Sequence, residues 1–170
     1  MTIPVFGAGQ DLPFLSWRVA KHASSVFDGA TTNAHGSLGE KPIYTIFTVT
    51  GVVAIQALFA RVNTTVDDAG GASRLNLGVT GDDNFFDNTI VADTLLDTGF
   101  WGVFDLSGGT GAFTANISRV FLEGEIVVID GADILETTTG ADVTSGQLDY
   151  YMIWAALSDG ATITGSGALS

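Results

Sequence analysis

The residues able to do chemistry are few, and their spacing sets out what they can do. His22 and His35 are the two histidines, and with no cysteine in the chain there is no thiolate nucleophile and no Cys-based metal site. Their separation fits neither an i, i+4 pair on a helix nor neighbours on a strand, so they read as solvated or docking histidines rather than ligands. The glycine-rich run Ser107–Gly111 lacks the Lys-Ser/Thr that a phosphate-cradling loop needs. Paired carboxylates occur at Asp67/Asp68, Asp82/Asp83 and Glu123/Glu125. Glycoside hydrolysis needs two carboxyls across a cleft; Glu123 and Glu125 alternate with Val120, Leu122, Ile126 and Val128, as on the wet face of a strand. Asp82, Asp83, Asn84, Asp87 and Asn88 form an oxygen-rich loop that could hold calcium. It departs from the EF-hand spacing, so Asx-turn chemistry is the expectation there. No catalytic residue, cofactor or metal site is assigned.

The elements that carry these residues fall into two unequal parts. All three prolines (Pro4, Pro13, Pro42) and both histidines lie in the first 42 residues. Residues 1–41 balance Arg18, Lys21 and Lys41 against Asp11, Asp28 and Glu40, which leaves the formal charge of −13 to residues 42–170. Proline restrains its neighbours and donates no backbone hydrogen bond, so residues 1–41 read as an N-terminal arm and linker, with one short helix expected over Ser16–Ser25. Residues 42–170 read as one β-domain. Short runs rich in Thr, Val, Ile and Phe predict strands at Tyr44–Thr50, Val52–Val62, Arg74–Thr80, Thr89–Ala92, Gly99–Asp105 and Ala112–Asn116. Further strands are expected at Arg119–Ile129, Ile134–Thr138, Leu148–Leu157 and Ala161–Thr164. Turn clusters such as Asp67–Gly71 and Asp130-Gly131 separate them. The fold class is all-β: an antiparallel β-sandwich, jelly-roll-like, with an extended arm.

Composition narrows the partners. A sequence pI near 4.1 repels phosphate backbones and anionic lipid alike, so neither nucleic acid nor membrane is expected as a partner. The opening residues lack the basic and apolar regions of a secretion signal. Val52–Val62 and Leu148–Leu157 carry apolar residues on both faces, whereas a sandwich strand normally has one wet face. The second face therefore needs a cover: either the leader or a long loop with Phe100 and Trp101 lies over it within the monomer, or a subunit interface built on Phe59, Tyr150, Met152 and Trp154 supplies one. With only 6 basic residues and a high mean hydropathy, a lone chain would otherwise expose large apolar patches, which favours a homo-oligomer.

The run Thr45-Ile46-Phe47-Thr48-Val49-Thr50-Gly51 leading into Val52–Val62, and the late Tyr150-Tyr151-Met152-Ile153-Trp154 strand before Ser158-Asp159-Gly160, resemble small virion structural proteins of tailed bacteriophages. Within that class the chain is similar to capsid decoration (cement) proteins. The resemblance implies a non-enzymatic trimer in the virion that grips the major capsid protein or another shell protein through its arm. Phe14, Trp17, Arg18 and Phe27 would be the arm's contacts. A module of a tail or fibre that recognises carbohydrate or a host surface is the other reading, with Phe85, Phe86, Phe100 and Trp101 as its loop aromatics.

Overall fold

In a computed structural model, residues 16–29, 35–39, 42–68, 70–83, 85–86, 90–96, 99–102, 112–113 and 126–165 are described. They form an antiparallel β-sandwich. One sheet has the order β1 (Arg18–Val26), β10 (Val143–Ala156), β3 (Val52–Asp68), β6 (Phe100–Gly102), β7 (Ala112–Phe113), with β8 (Val127–Asp130) also pairing β3. The other runs β11 (Thr162–Gly165), β2 (Ile43–Thr50), β9 (Ile134–Thr139), β4 (Arg74–Val79), β5 (Ile90–Val91). The pairs nest: β2 with β11, β3 with β10, β4 with β9, and β6 with β7.

Chain reversals between the sheets follow from small residues and acidic side chains. Gly51 takes φ +70° at the β2–β3 corner, and a Cβ there would lie 2.7 Å from Ser158 Oγ, the atom that accepts the Val52 N–H at 2.9 Å. Asp68 closes the β3–β4 turn. Its carboxylate accepts the N–H groups of Gly70 (2.8 Å), Gly71 and Ser73 (2.8 Å) and the Ser73 hydroxyl at 2.5 Å. Those donors hold the acid well below the usual carboxylate range, the Ser73 hydroxyl bond contributing most.

The two-faced appearance of Val52–Val62 has a local cause. Trp154 pairs with Ile55 while Ile153 pairs with Ala57, so Gln56 is an extra residue in β3. A β-bulge of this kind flips the parity of the strand. Val53 and Ile55 before it, and Leu58, Ala60 and Val62 after it, thus all face the core, and all are at most 1% exposed. Opposite them on β10 stand Leu148, Tyr150, Met152 and Trp154. Three of the residues expected at a subunit interface are accordingly core: Tyr150 and Met152 are fully buried and Trp154 is 5% exposed within the single chain. Burying such a set between sheets contributes roughly 1.5–3 kcal/mol per large side chain.

The N-terminal part departs from the sequence expectation in its described residues. Arg18–Val26 is a strand, not a helix, and pairs antiparallel with β10 from Arg18↔Trp154 to Val26↔Gln147. Alternation explains it: Ala20 and His22 face inward, while Val19 and Lys21 face out. The following stretch is fastened to the domain as a clasp. Phe27 donates to Gly146 (3.0 Å), Gly29 to Val143 (2.8 Å), Val143 to Gly36 (3.0 Å), and Leu38 to the Asp142 carboxylate (2.7 Å). Phe27, expected as an arm contact, is 2% exposed and part of the core. Phe14 lies outside the described residues.

Candidate functional site

Two places gather side chains that could act: a polar cluster between the sheets and the outer face of the β1-β10-β3 sheet. The cluster centres on Glu136, which shares the inward parity of Ile134 and Thr138 on β9 and is 1% exposed. His35, on the clasp, donates from Nε2 to Glu136 Oε1 at 2.6 Å. The Tyr150 hydroxyl, from the opposite sheet, donates to Oε2. The His35 ring is sandwiched between Phe27 (centroids 4.4 Å apart) and Tyr44 (4.1 Å). His22, 1% exposed on β1, packs edge-on to Tyr44 at 5.7 Å and Phe47 at 6.4 Å and lies 6.2 Å from Tyr150.

The electrostatics of the cluster follow from burial. Desolvation pushes His22 below its ordinary 6.5, with the Glu136 charge opposing and His35 adding to the effect. Tyr44 is raised above 10.0 by burial and then by Glu136. Tyr150 is pushed well above 10.0 by burial, the Glu136 charge and its hydrogen bond to that carboxylate. Both phenols therefore stay protonated as donors near neutral pH. A buried carboxylate stripped of such donors would cost several kcal/mol, so the cluster ties β9, β10 and the clasp together. The two histidines, expected as solvated or docking groups, are both buried in it.

The outer face has a different chemistry. Register places Val19, Lys21, Asp149, Tyr151, Ile153, Ala57, Phe59 and Arg61 on the side of the sheet away from the core. Phe59 stacks on its cross-strand partner Tyr151 (5.3 Å, 16°), and Lys21 Nζ sits 5.3 Å from the same ring. Lys21 also pairs with Asp149 at 3.0 Å. Val19 is 69% exposed, and Phe59, Tyr151 and Ile153 are half-buried.

The chain matches no family model, no curated protein and no solved structure. Its site must be argued from its own residues.

Of the residues expected to matter, Phe59 lies on the outer face, while Tyr150, Met152, Trp154 and Phe27 line the core. Arg18 is exposed and holds its guanidinium carbon 5.4 Å from the Trp154 ring; Trp17 is 36% exposed. The aromatics offered for carbohydrate recognition do not share a surface: Trp101 is fully buried, Phe86 is 6% exposed and Phe100 is half-buried, leaving Phe85 at 42%. In the oxygen-rich loop, Asp82 and Val79 exchange backbone hydrogen bonds (2.9 and 2.8 Å) around Gly81 at φ +94°, which is turn geometry. Asn84, Asp87, Asn88, Glu123 and Glu125 lie outside the described residues. Among the described residues, no three His, Cys, Asp or Glu side chains converge to hold a metal ion.

The inner cluster went unread in the sequence, yet a signal was there. Ile134 must face inward, and period 2 carries Glu136 with it. A carboxylate forced inside needs donors, and the tyrosines and histidines are the side chains able to reach it.

Proposed function

We propose that the chain is a non-enzymatic structural protein of a phage virion, of the capsid decoration type. Its sandwich associates with copies of itself through the outer β1-β10-β3 face, and residues ahead of β1 attach it to the shell. The observation that carries this reading is that outer face. In a chain with 19 acidic and 6 basic residues, like-charged copies repel one another over most of their surface. On this face Lys21 and Arg61 outnumber Asp149, and Val19, Tyr151, Ile153 and Phe59 supply apolar area with aromatic anchors. Aromatic residues with little net charge characterise the centres of interfaces.

The acidic groups whose partners are known support the same reading. Asp68, Asp133, Asp142 and Glu136 each fasten a turn, a strand or the clasp, and a side chain spent on holding structure is not free for turnover. The attachment role falls to Trp17 and the residues before it, because β1 and the clasp are built into the domain. The trimer and the shell protein as partner extend the resemblance of Thr45–Val62 and Tyr150–Gly160 to decoration proteins.

Attachment is tested by co-sedimentation with the phage's own protein shells. Removing residues 1–16 is expected to leave a folded, self-associating domain that no longer pellets with shells. Trp17→Ala should weaken pelleting about thirtyfold, the equivalent of ~2 kcal/mol for a lost aromatic anchor. Shell binding by the truncated chain as tight as that of the full chain would overturn the attachment role.

A further inference from the structure

The buried cluster brings together groups from every element that touches it, and the arrangement has a consequence in acid. Around His22 stand Tyr44 from β2, Glu136 from β9, Tyr150 from β10 and His35 from the clasp; Asp149 of β10 also acts on it electrostatically. Both carboxylate oxygens of Glu136 are already engaged, one by His35 and one by Tyr150. Asp149 is held by Lys21 on the opposite side of the sheet. A proton added to His22 would create a cation at 1% exposure among the rings of Tyr44, Phe47 and Tyr150. Among the described residues, β1, which carries His22, lies at the end of its sheet and pairs through its ladder with β10. An edge strand of that kind is among the first units to open locally.

We propose that the His22–His35–Glu136–Tyr150 cluster is an acid-sensitive lock: with His22 neutral it holds β1 and the clasp residues 27–29 and 35–39 against the second sheet, and protonation of His22 releases them. Released with them are the residues ahead of Arg18. Burial lowers the affinity of folded His22 for its proton, so the closed state binds fewer protons than the open one. The lock's contribution is therefore full above the ordinary histidine value of 6.5 and is lost as pH falls through the lower folded value. With one proton taken up on opening, the opening equilibrium rises up to tenfold per pH unit below about 6.5.

Native-state hydrogen exchange on the full chain, corrected for intrinsic rates, reads this directly. Between pH 7 and 5, opening measured at Val19–His22, Phe27, Asp28 and Gly29 is expected to increase at least tenfold, with the β4·β9 ladder (Leu75–Val79 and Ile134–Thr138) changing less than twofold. In H22F, which keeps a ring and removes the titrating group, the β1 and clasp amides should lose their pH dependence. The wild-type His22 ring resonances, followed by NMR, give a second reading independent of that variant's folding: titration is expected below 6.5, concerted with β1 opening. The proposal is overturned if His22 titrates at or above 6.5, if acid opens both regions equally, or if H22F retains the wild-type pH dependence.

Discussion

The two outer faces of the sandwich are built on the same framework and differ in what they offer water. On the β11-β2-β9 side, Thr48, Thr50, Thr162 and Thr164 are all exposed, and Thr162 lies directly opposite Thr50 as Thr164 does opposite Thr48. Cross-strand threonine pairs add contact along the ladder, and with both partners exposed the face stays hydrated. On the β1-β10-β3 side the equivalent positions hold Val19, Tyr151, Ile153 and Phe59, with a cation over the aromatic stack. β-propensity is high on both. Strand formation alone therefore does not explain the second set, and its apolar character is what a partner would use.

Substitutions that exchange the character of the faces test this contrast. The largest effect should come from crossing through the sheet rather than along it. Trp154→Asp places an unpaired charge beneath the outer face and should cost about 4 kcal/mol or more, abolishing the near-ultraviolet circular dichroism; Thr164→Asp should leave that spectrum unchanged. Next comes the turn that carries β3 from one sheet to β4 in the other. Asp68→Ala leaves the N–H groups of Gly70 and Gly71 and the buried donors of Ser73 without their acceptor and should lower stability by roughly 2 kcal/mol in urea titrations. Because Asp68 is held below its ordinary value, its contribution is present above about pH 4 and lost as pH falls further. The wild type should thus weaken relative to the variant's already reduced stability only in strong acid. Smaller still, Phe59→Ala removes one half of the Phe59–Tyr151 stack and should cost ~1 kcal/mol. Thr162→Val on the other face should remain within about 0.5 kcal/mol of wild type.

Among the described residues of 42–170, the strands were legible because period-2 alternation and turn residues act locally. Arg74–Val79 is the clearest case, with Leu75 and Leu77 inward and Arg74 outward. Non-local features were not legible. The bulge at Gln56 is a matter of register against β10, and without it Val52–Val62 counts as apolar on both faces and Phe59 falls in with Val53 and Ile55. β1 was hidden for a similar reason: Arg18–Val26 is short of β-branched residues, and pairing with β10 makes it a strand. The Glu136 cluster spans β9, β10 and the clasp, and its chemistry exists only once the two sheets meet.

The proposed self-association through the β1-β10-β3 face is tested most directly by sedimentation velocity on three proteins at micromolar concentration: wild type, Ile153→Asp and Thr48→Asp. The wild type and Thr48→Asp are expected to sediment as the same closed oligomer, with Ile153→Asp folded but dissociated, its dissociation constant raised at least tenfold. A 17.6 kDa monomer for the wild type, or dissociation by Thr48→Asp with Ile153→Asp unaffected, would contradict the assignment of that face.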